Sequence, residues 1–335
     1  MSQEPEARSA ARRKWAKRLL VPLAAVSTFF ALEGGLRLYL WLRTGNPNVA
    51  MNWKISYEPY LIHASNDRLH KAWPPKGDKY RILVLGGSTA ERVPDEAVIR
   101  AFGKSGRAID VVNLGNGGFI LNQETVMLAL YGVGLEPDLI LSLDGANDVI
   151  QIHQTDRAGV PYTNKYVSFA VDHPVLNVFF GVFRGSQLVN MAFKLKERTE
   201  GQAVVADVRR QEETLAAVVR GRETIALIAA GLKVPYIAVL QPYLFLCKDY
   251  APPVPGKEED FLQNFKVDLY RRLAARLRGT AWPWPVYPVD GTLAFGDSGR
   301  ELFVDGVHLS PEGSRRLMDY VYAQAVAGGW TPAAR

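Results

Sequence analysis

Cysteine is almost missing from this chain: Cys247 is the single one among 335 residues. That excludes an intrachain disulfide and a cysteine metal cluster. Cys247 follows Leu244-Phe245-Leu246, a setting that suits a small buried hydrophobe. Histidine is scarce too, with five residues. No Gly-x-x-x-x-Gly-Lys-Ser/Thr motif occurs, so the sequence offers no P-loop. Internal repeats and low-complexity tracts are absent. The net charge is +6, but a basic nucleic-acid surface is missing as well. Six basic residues (Arg8, Arg12, Arg13, Lys14, Lys17, Arg18) and two acidic ones (Glu4, Glu6) crowd the first 18 positions. Four of the six net charges therefore sit there, and the remainder of the chain is nearly balanced.

What is present begins with residues 19–42, LLVPLAAVSTFFALEGGLRLYLWL. Only Glu33 and Arg37 are charged. They are four apart, so on a helix they share a face and can pair. At 1.5 Å per residue the run is about long enough for a bilayer core of roughly 30 Å. The basic residues before it place residues 1–18 in the cytoplasm and the rest of the chain on the far side. The reading is an uncleaved single-pass anchor. Two alternatives stay open: a cleaved signal peptide with its core at 19–32, and a soluble amphipathic helix. The first lacks a convincing small-x-small cleavage site.

Residues 43–78 are rich in Pro, Asn and aromatics without a sustained period, and read as a linker and lead-in. A domain over 79–330 follows. Nearly half of the chain is apolar, at 48%, enough for a sizeable core. Short apolar runs recur at 81–86, 109–114, 138–143, 234–240 and, more weakly, 286–290. Runs apolar on both faces belong to a parallel sheet covered by helices. Helices are expected at 120–133 and at 202–230, the latter with Val204, Val208, Leu215, Val219 and Ile228 at helical spacing and Gly231 at its end. The last helix has Ser310 as its cap and Pro311 at its first position, with Leu317, Val321 and Ala325 on one face. Alternating strands and helices define an α/β fold, doubly wound. Residues 150–200 interrupt the rhythm with Phe169, Phe179, Phe180 and Phe183. They read as a lid or substrate wall, or equally as a small satellite core. A second insertion, 243–260, carries Pro252, Pro253 and Pro255.

Ligands of an open parallel sheet sit beyond the carboxyl ends of its strands. Ser88 in Gly86-Gly87-Ser88-Thr89, Gly118, Asn147 in Gly145-Ala-Asn147-Asp148, and the Asp305-Gly-Val-His308 loop all follow strands or apolar runs. Taken singly, each has a plainer reading. Gly-Gly-Ser-Thr could be a helix cap, Asn147 a turn residue, and Asp305-His308 two members of a metal site. No third metal ligand stands at a suitable spacing. Asp148 reads as a turn or helix cap. The other four histidines, His63, His70, His153 and His173, lack the surroundings of the Asp305-His308 loop, which lies just before a capped helix, and read as surface or packing residues. Trp282 and Trp284 could line an acyl pocket, stack on sugars or lie near a bilayer.

Together, and in this order, the four blocks resemble the SGNH hydrolases, the GDSL-type esterase and lipase superfamily. The resemblance spans 81–310. It implies a three-layer, flavodoxin-like fold with a central parallel sheet, ester substrates, no required cofactor and no metal. Carried over by position, Ser88 would be the nucleophile, with Asp305 and His308 completing a triad. Ser88, Gly118 and Asn147 would form the oxyanion hole, with Gly115 or Gly117 in place of Gly118 if the register slips. Block I departs from the family's Gly-Asp-Ser-Leu, since Gly87 replaces the aspartate; this looks like the variant of membrane-anchored relatives. A second tripeptide, Gly296-Asp297-Ser298, spells the family motif but follows no clear strand. The expected function is hydrolysis of an O-acyl ester of a cell-envelope carbohydrate or lipid. An O-acyltransferase for surface polysaccharide and a non-catalytic binding protein on the same fold are the alternatives.

Overall fold

Five apolar runs become five parallel strands: β1 (Tyr80–Gly86), β2 (Ile109–Asn113), β3 (Leu139–Asp144), β4 (Tyr236–Leu240) and β5 (Val286–Asp290). In the computed structural model, the described residues are 4–45, 56–64, 71–155, 157–172, 186–189, 191, 207–247, 258–296 and 299–332. His70, His173, Phe179, Phe180, Phe183, Val204, Pro252, Pro253, Pro255, Asp297 and Ser298 lie outside them. The chain divides into two units, Met1–Trp53 with Phe169–Arg198 and Lys54–Ser168 with Thr199–Arg335.

The sheet order is β2-β1-β3-β4-β5, with every neighbouring pair parallel. This is the doubly wound flavodoxin-like order, whose direction switches between β1 and β3. Every residue of β1, β3 and β4 is buried, as strands covered on both faces must be. Side chains alternate between the faces. Ile82 and Val84 join one core with helices α2 (Asp95–Phe102) and α7 (Pro311–Ala327). Leu83 and Leu85 join the other with α3 (Leu121–Met127), α5 (Val208–Leu232) and α6 (Glu258–Gly279). Two cores on one sheet make three layers. Burying each such aliphatic side chain contributes about 1.5–3 kcal/mol.

Helix α7 starts as the sequence predicts. Ser310 Oγ accepts from the Gly313 N–H at 3.1 Å, Pro311 opens the first turn, and Leu317, Val321 and Ala325 are buried. The other helices differ in extent. Among the described residues α5 begins at Val208, because Asp207 accepts the Arg210 N–H and caps it there. Its end lies beyond Gly231, with Lys233 taking the left-handed position. The expected 120–133 helix passes from α3 into a π turn, Leu128–Gly132, and a 3-10 turn, Val133–Leu135. Helix α6 was hidden by its charge. Arg271, Arg272, Arg276 and Arg278 dilute an apolar stripe of Leu269, Tyr270, Leu273 and Leu277, all buried. The lead-in is more ordered than its composition suggests. Ser56–Glu58 and Ile62–Ala64 pair as a short antiparallel hairpin, and Leu61, His63 and Ala64 are buried.

In the first unit one helix runs Glu4–Thr44. Its stretch Leu20–Arg43 is long and apolar enough to cross a membrane. Leu20, Val21, Leu23, Phe30, Trp41 and Leu42 are exposed along it. Glu33 and Arg37 do pair, at 2.9 Å. Glu33 also accepts from Ser186 Oγ at 2.8 Å and from the N–H groups of Gln187 and Leu188 at 2.8 and 3.0 Å.

Beneath the switch point lies a buried ion pair. Asp144, the last residue of β3, receives Arg222 of α5 at 2.7 Å, and neither side chain exposes more than 1% of its surface. Ser142 Oγ donates to the second oxygen of Asp144 at 2.6 Å and sits 2.8 Å from the Tyr236 hydroxyl. Removing one partner of such a pair leaves the other charge buried and uncompensated. Arg222→Met should therefore lower the unfolding free energy by about 3–5 kcal/mol. Urea denaturation of the full chain in mild detergent, followed by fluorescence, measures the loss; an unchanged midpoint would contradict the pair's role.

Candidate active site

Four strand ends supply the site. Strand β1 ends in Gly86-Gly87, and Ser88 opens the five-residue helix α1 (Ser88–Arg92). A helix's first N–H groups have no partner within the helix, so the Ser88 N–H is directed outward from that turn. Gly87 lets the two sides of the site approach closely. A Cβ there would stand 2.2 Å from Nδ2 of Asn147. The Asn147 amide thus lies directly against the backbone that precedes Ser88.

Asn147 comes from the second side of the switch point, in α4 (Ala146–Ile150), which follows β3. Its Nδ2 donates to the Phe119 carbonyl at 2.8 Å and carries a second N–H besides. Two neighbours bind the same loop. Asp148 Oδ1 accepts the Leu121 N–H at 3.3 Å, and Gln151 Nε2 donates to the Gly118 carbonyl at 3.1 Å. Residues 118–121 are therefore laced to α4 by three side chains. Gly118 itself has φ +80, in the left-handed region. A Cβ there would lie 3.4 Å from His63 Nε2 and from the Tyr162 ring. Of the alternative glycines, Gly115 directs its N–H to Asn113 Oδ1 at 2.9 Å and packs under α1, while a Cβ on Gly117 would stand 3.3 Å from Glu91 Oε2.

The last contributor is the loop between β5 and α7. His308 Nε2 stands 2.8 Å from Ser88 Oγ, and its Nδ1 stands 2.6 Å from Asp305 Oδ2. A carboxylate only accepts, so Nδ1 carries the proton and Nε2 is left to accept from the serine hydroxyl. Asp305 Oδ1 accepts the N–H groups of Val307 and His308, both at 2.9 Å. Partial burial raises the Asp305 pKa, but the His308 bond and these two N–H groups outweigh it, holding the carboxyl below its usual range.

Ser88, Asp305 and His308 are thus gathered at one point, with Asn147 beside the turn that carries Ser88 and Gly118 on the loop that Asn147 holds. Sequence reasoning missed several neighbours. His63, read as a surface or packing residue, is buried beside Gly118; its Nδ1 is 2.7 Å from Thr163 Oγ1, and its ring meets Phe119 and Tyr162 edge-on. Burial pushes its pKa down to about 4, against a bond to the Gly117 backbone, so it stays neutral at pH 7. Thr89 and Gln241 were missed as well, and both reach the His308 loop. Gln241 follows a strand end directly, the same signal that singled out Ser88. Trp282 donates to the Leu277 carbonyl and packs on the core, which makes it a structural residue; Trp284 is exposed. Cys247 is half-buried against the second core. Among the described residues, no group of three or more His, Cys, Asp or Glu side chains is placed to hold a metal ion.

No family model and no curated protein matches this chain. Solved structures similar to it include a lipase from a goat rumen metagenome, at 13% identity and a TM-score of 0.42, covering 73% of this chain and 96% of that one. An acetylxylan esterase from Geobacillus stearothermophilus matches at 13% identity and a TM-score of 0.41, covering 74% and 94%. A protein described as belonging to the G-D-S-L lipolytic family, from Desulfitobacterium hafniense, matches at 12% identity and 0.40, covering 73% and 99%. Likenesses this distant carry no argument of their own, and the functional reading rests on the geometry above.

Asp148 provides a test of the site's electrostatics. Burial, with the Asp144 charge beside it, pushes its pKa up to about 7. A carboxyl with a raised folded pKa holds its proton more tightly when folded. Its contribution is fullest below about pH 4, its unfolded range, and is lost as the pH rises through about 7. Asp148→Asn removes that loss, so the variant should gain stability relative to the parent between pH 5 and 8. Urea midpoints at several pH values measure the gap; a constant gap would refute the assignment.

Proposed function

We propose that this protein is a serine ester hydrolase held in a membrane by residues 19–42. One observation carries the reading: groups 220 residues apart in sequence, Ser88 Oγ and His308 Nε2, lie 2.8 Å apart, with Asp305 on the other imidazole nitrogen. This is the arrangement that activates a hydroxyl for acyl transfer. The order of the sequence blocks, which resembles the SGNH hydrolases, supports it.

Ser88 Oγ attacks the ester carbonyl carbon while His308 Nε2 takes its proton. Asp305 fixes the ring and stabilises the imidazolium. The negative oxygen of the tetrahedral intermediate is held by the N–H groups of Ser88 and Gly118 and by the Asn147 amide, groups positioned before the substrate arrives. Collapse breaks the ester carbon–oxygen bond, and His308 returns the proton to the departing alcohol. Water then attacks the acyl-serine, His308 takes a proton from it, and the acid leaves as Ser88 regains its hydrogen. No cofactor takes part.

The stretch Leu20–Arg43, long and apolar enough to cross a bilayer, supports an anchor. Basic residues before the span keep the N-terminus in the cytoplasm. The domain then faces the periplasm or the exterior, where the substrate is an O-acyl ester of an envelope carbohydrate or lipid.

The full chain in detergent should turn over a small activated ester and react with a fluorophosphonate at Ser88. Ser88→Ala should abolish labelling and cut turnover by at least 10³-fold. Wild-type turnover no higher than that of Ser88→Ala would refute the hydrolase and leave a binding protein. Products formed from an acetyl donor, with and without a glycan acceptor, should show free acetate in both cases. Acylated glycan as the main product would replace the hydrolase by a transferase.

A further inference from the structure

Resting on the hydrolase reading, we propose that Gln241, acting through Thr89, is a positioning residue that fixes the distance between Ser88 and His308. Gln241 is the residue after β4 and is buried. Its backbone is held at both ends: its N–H donates to the Asp144 carbonyl at 3.0 Å, and its carbonyl accepts the Tyr270 hydroxyl at 2.6 Å. Its side chain reaches between the two halves of the site. Nε2 donates to Thr89 Oγ1 at 2.9 Å and to the Val307 carbonyl at 3.4 Å. The Thr89 hydroxyl in turn donates to the same carbonyl at 3.1 Å.

These three groups close a triangle on the buried side of the reacting pair. Thr89 is the residue after Ser88, and Val307 is the residue before His308. The Asp305 carboxylate holds the Val307 N–H from the other side. Residue 307 is thus gripped at its N–H by Asp305 and at its carbonyl by Thr89 and Gln241. The orientation of His308 follows from the orientation of that residue. One hydroxyl with its hydrogen on Val307 has both lone pairs left to accept, so the Gln241 amide adds to the Thr89 bond rather than competing with it. Neither side chain touches the reacting atoms, so both act through His308. A displacement of about 1 Å between such groups can lower a rate about 10²-fold.

The test compares four variants of the full chain in detergent, using the same activated ester. Gln241→Leu and Thr89→Val remove the amide and the hydroxyl while nearly preserving shape. Each should lower kcat 10- to 100-fold with KM within about twofold. Thr89→Ser keeps the hydroxyl and should restore kcat to within about threefold of the parent, an outcome that loss of packing alone would not give. The double variant should be no slower than the slower single one, because both belong to one linkage. Thermal midpoints separate misfolding from mispositioning, and Thr89→Ser keeps the test decisive if Gln241→Leu fails to fold. A parent that turns over the ester beside a Thr89→Val variant with an unchanged kcat would overturn the proposal and leave the hydrolase standing. Equal losses in Thr89→Val and Thr89→Ser would overturn it as well. A parent without turnover would overturn the hydrolase itself, and the positioning role with it.

Discussion

The hydrogen bond between Ser88 and His308 is the contact on which the rest of the site depends, and neither loop makes it alone. Ser88 follows β1, in the interior of the sheet, and His308 follows β5, at its edge, with β3 and β4 between them. At roughly 4.8 Å per strand the two origins are about 14 Å apart. The His308 loop must therefore pass inward over the ends of two strands. The contacts along it trace that route. Leu244, just beyond β4, donates its N–H to the Gly306 carbonyl, and the Phe245 ring occupies the space where a side chain on Gly306 would go. Gln241 and Thr89 then donate to the Val307 carbonyl. At the loop's base, Phe303 and Leu309 bridge as a closed neck, with Val304 and His308 bonded through their backbones at 2.8 Å. Each contact brings the imidazole nearer to the serine.

The other half of the site is built on buried charge, which is a costly material. Asp144, Asp148 and Glu124 share the region under the switch point with one cation among the described residues that meets them there, Arg222. Burial drives the Glu124 pKa well up, with the Asp144 and Asp148 charges adding to the effect. A core of this composition is poor for stability, because every oxygen in it was taken out of water. What it provides is definition. Asp144 accepts Gln241 through its backbone and Arg222 through its carboxylate, and so fixes the strand end from which Asn147 departs. Polar networks in a low dielectric hold one geometry firmly when satisfied, and perturbed carboxyls gather at such places in functional sites.

These facts also mark the limit of what the sequence could tell. The strands were legible because a parallel sheet buried on both faces demands apolar runs, and 82–85 and 139–141 supply them. The serine, the histidine and its carboxylate were legible because each follows a strand end or precedes a capped helix within a few residues. Asp148 was legible only as a cap; its bond to Leu121 joins α4 to the first residue of α3, 27 residues away. Gln241, Thr89 and Arg222 reach partners 66 to 218 residues away, and no local period encodes such contacts. Helix α6 was obscured for a different reason, since arginines that pair with Glu212 across a helix interface look, in sequence, like a solvated face. His63 was hidden by its setting. Its short hairpin lies in a stretch of Pro, Asn and aromatics, and its burial comes from Phe119, Tyr162 and Thr163 elsewhere in the chain.

Position, and not spelling, distinguishes the Gly-x-Ser tripeptides Gly86-Gly87-Ser88 and Gly296-Asp297-Ser298. Gly296-Asp297-Ser298 carries the letters of the hydrolase motif, yet Gly296 lies beyond the 3-10 turn after the edge strand, away from the switch in strand order. Gly86-Gly87-Ser88 lacks the aspartate but stands at the switch itself, where β1 and β3 part. There the second glycine is set by Asn147. A Cβ at position 87 would stand 2.2 Å from the Asn147 amide, so a side chain there would have to push the amide aside. The glycine leaves room for that amide to pack directly on the backbone beside Ser88.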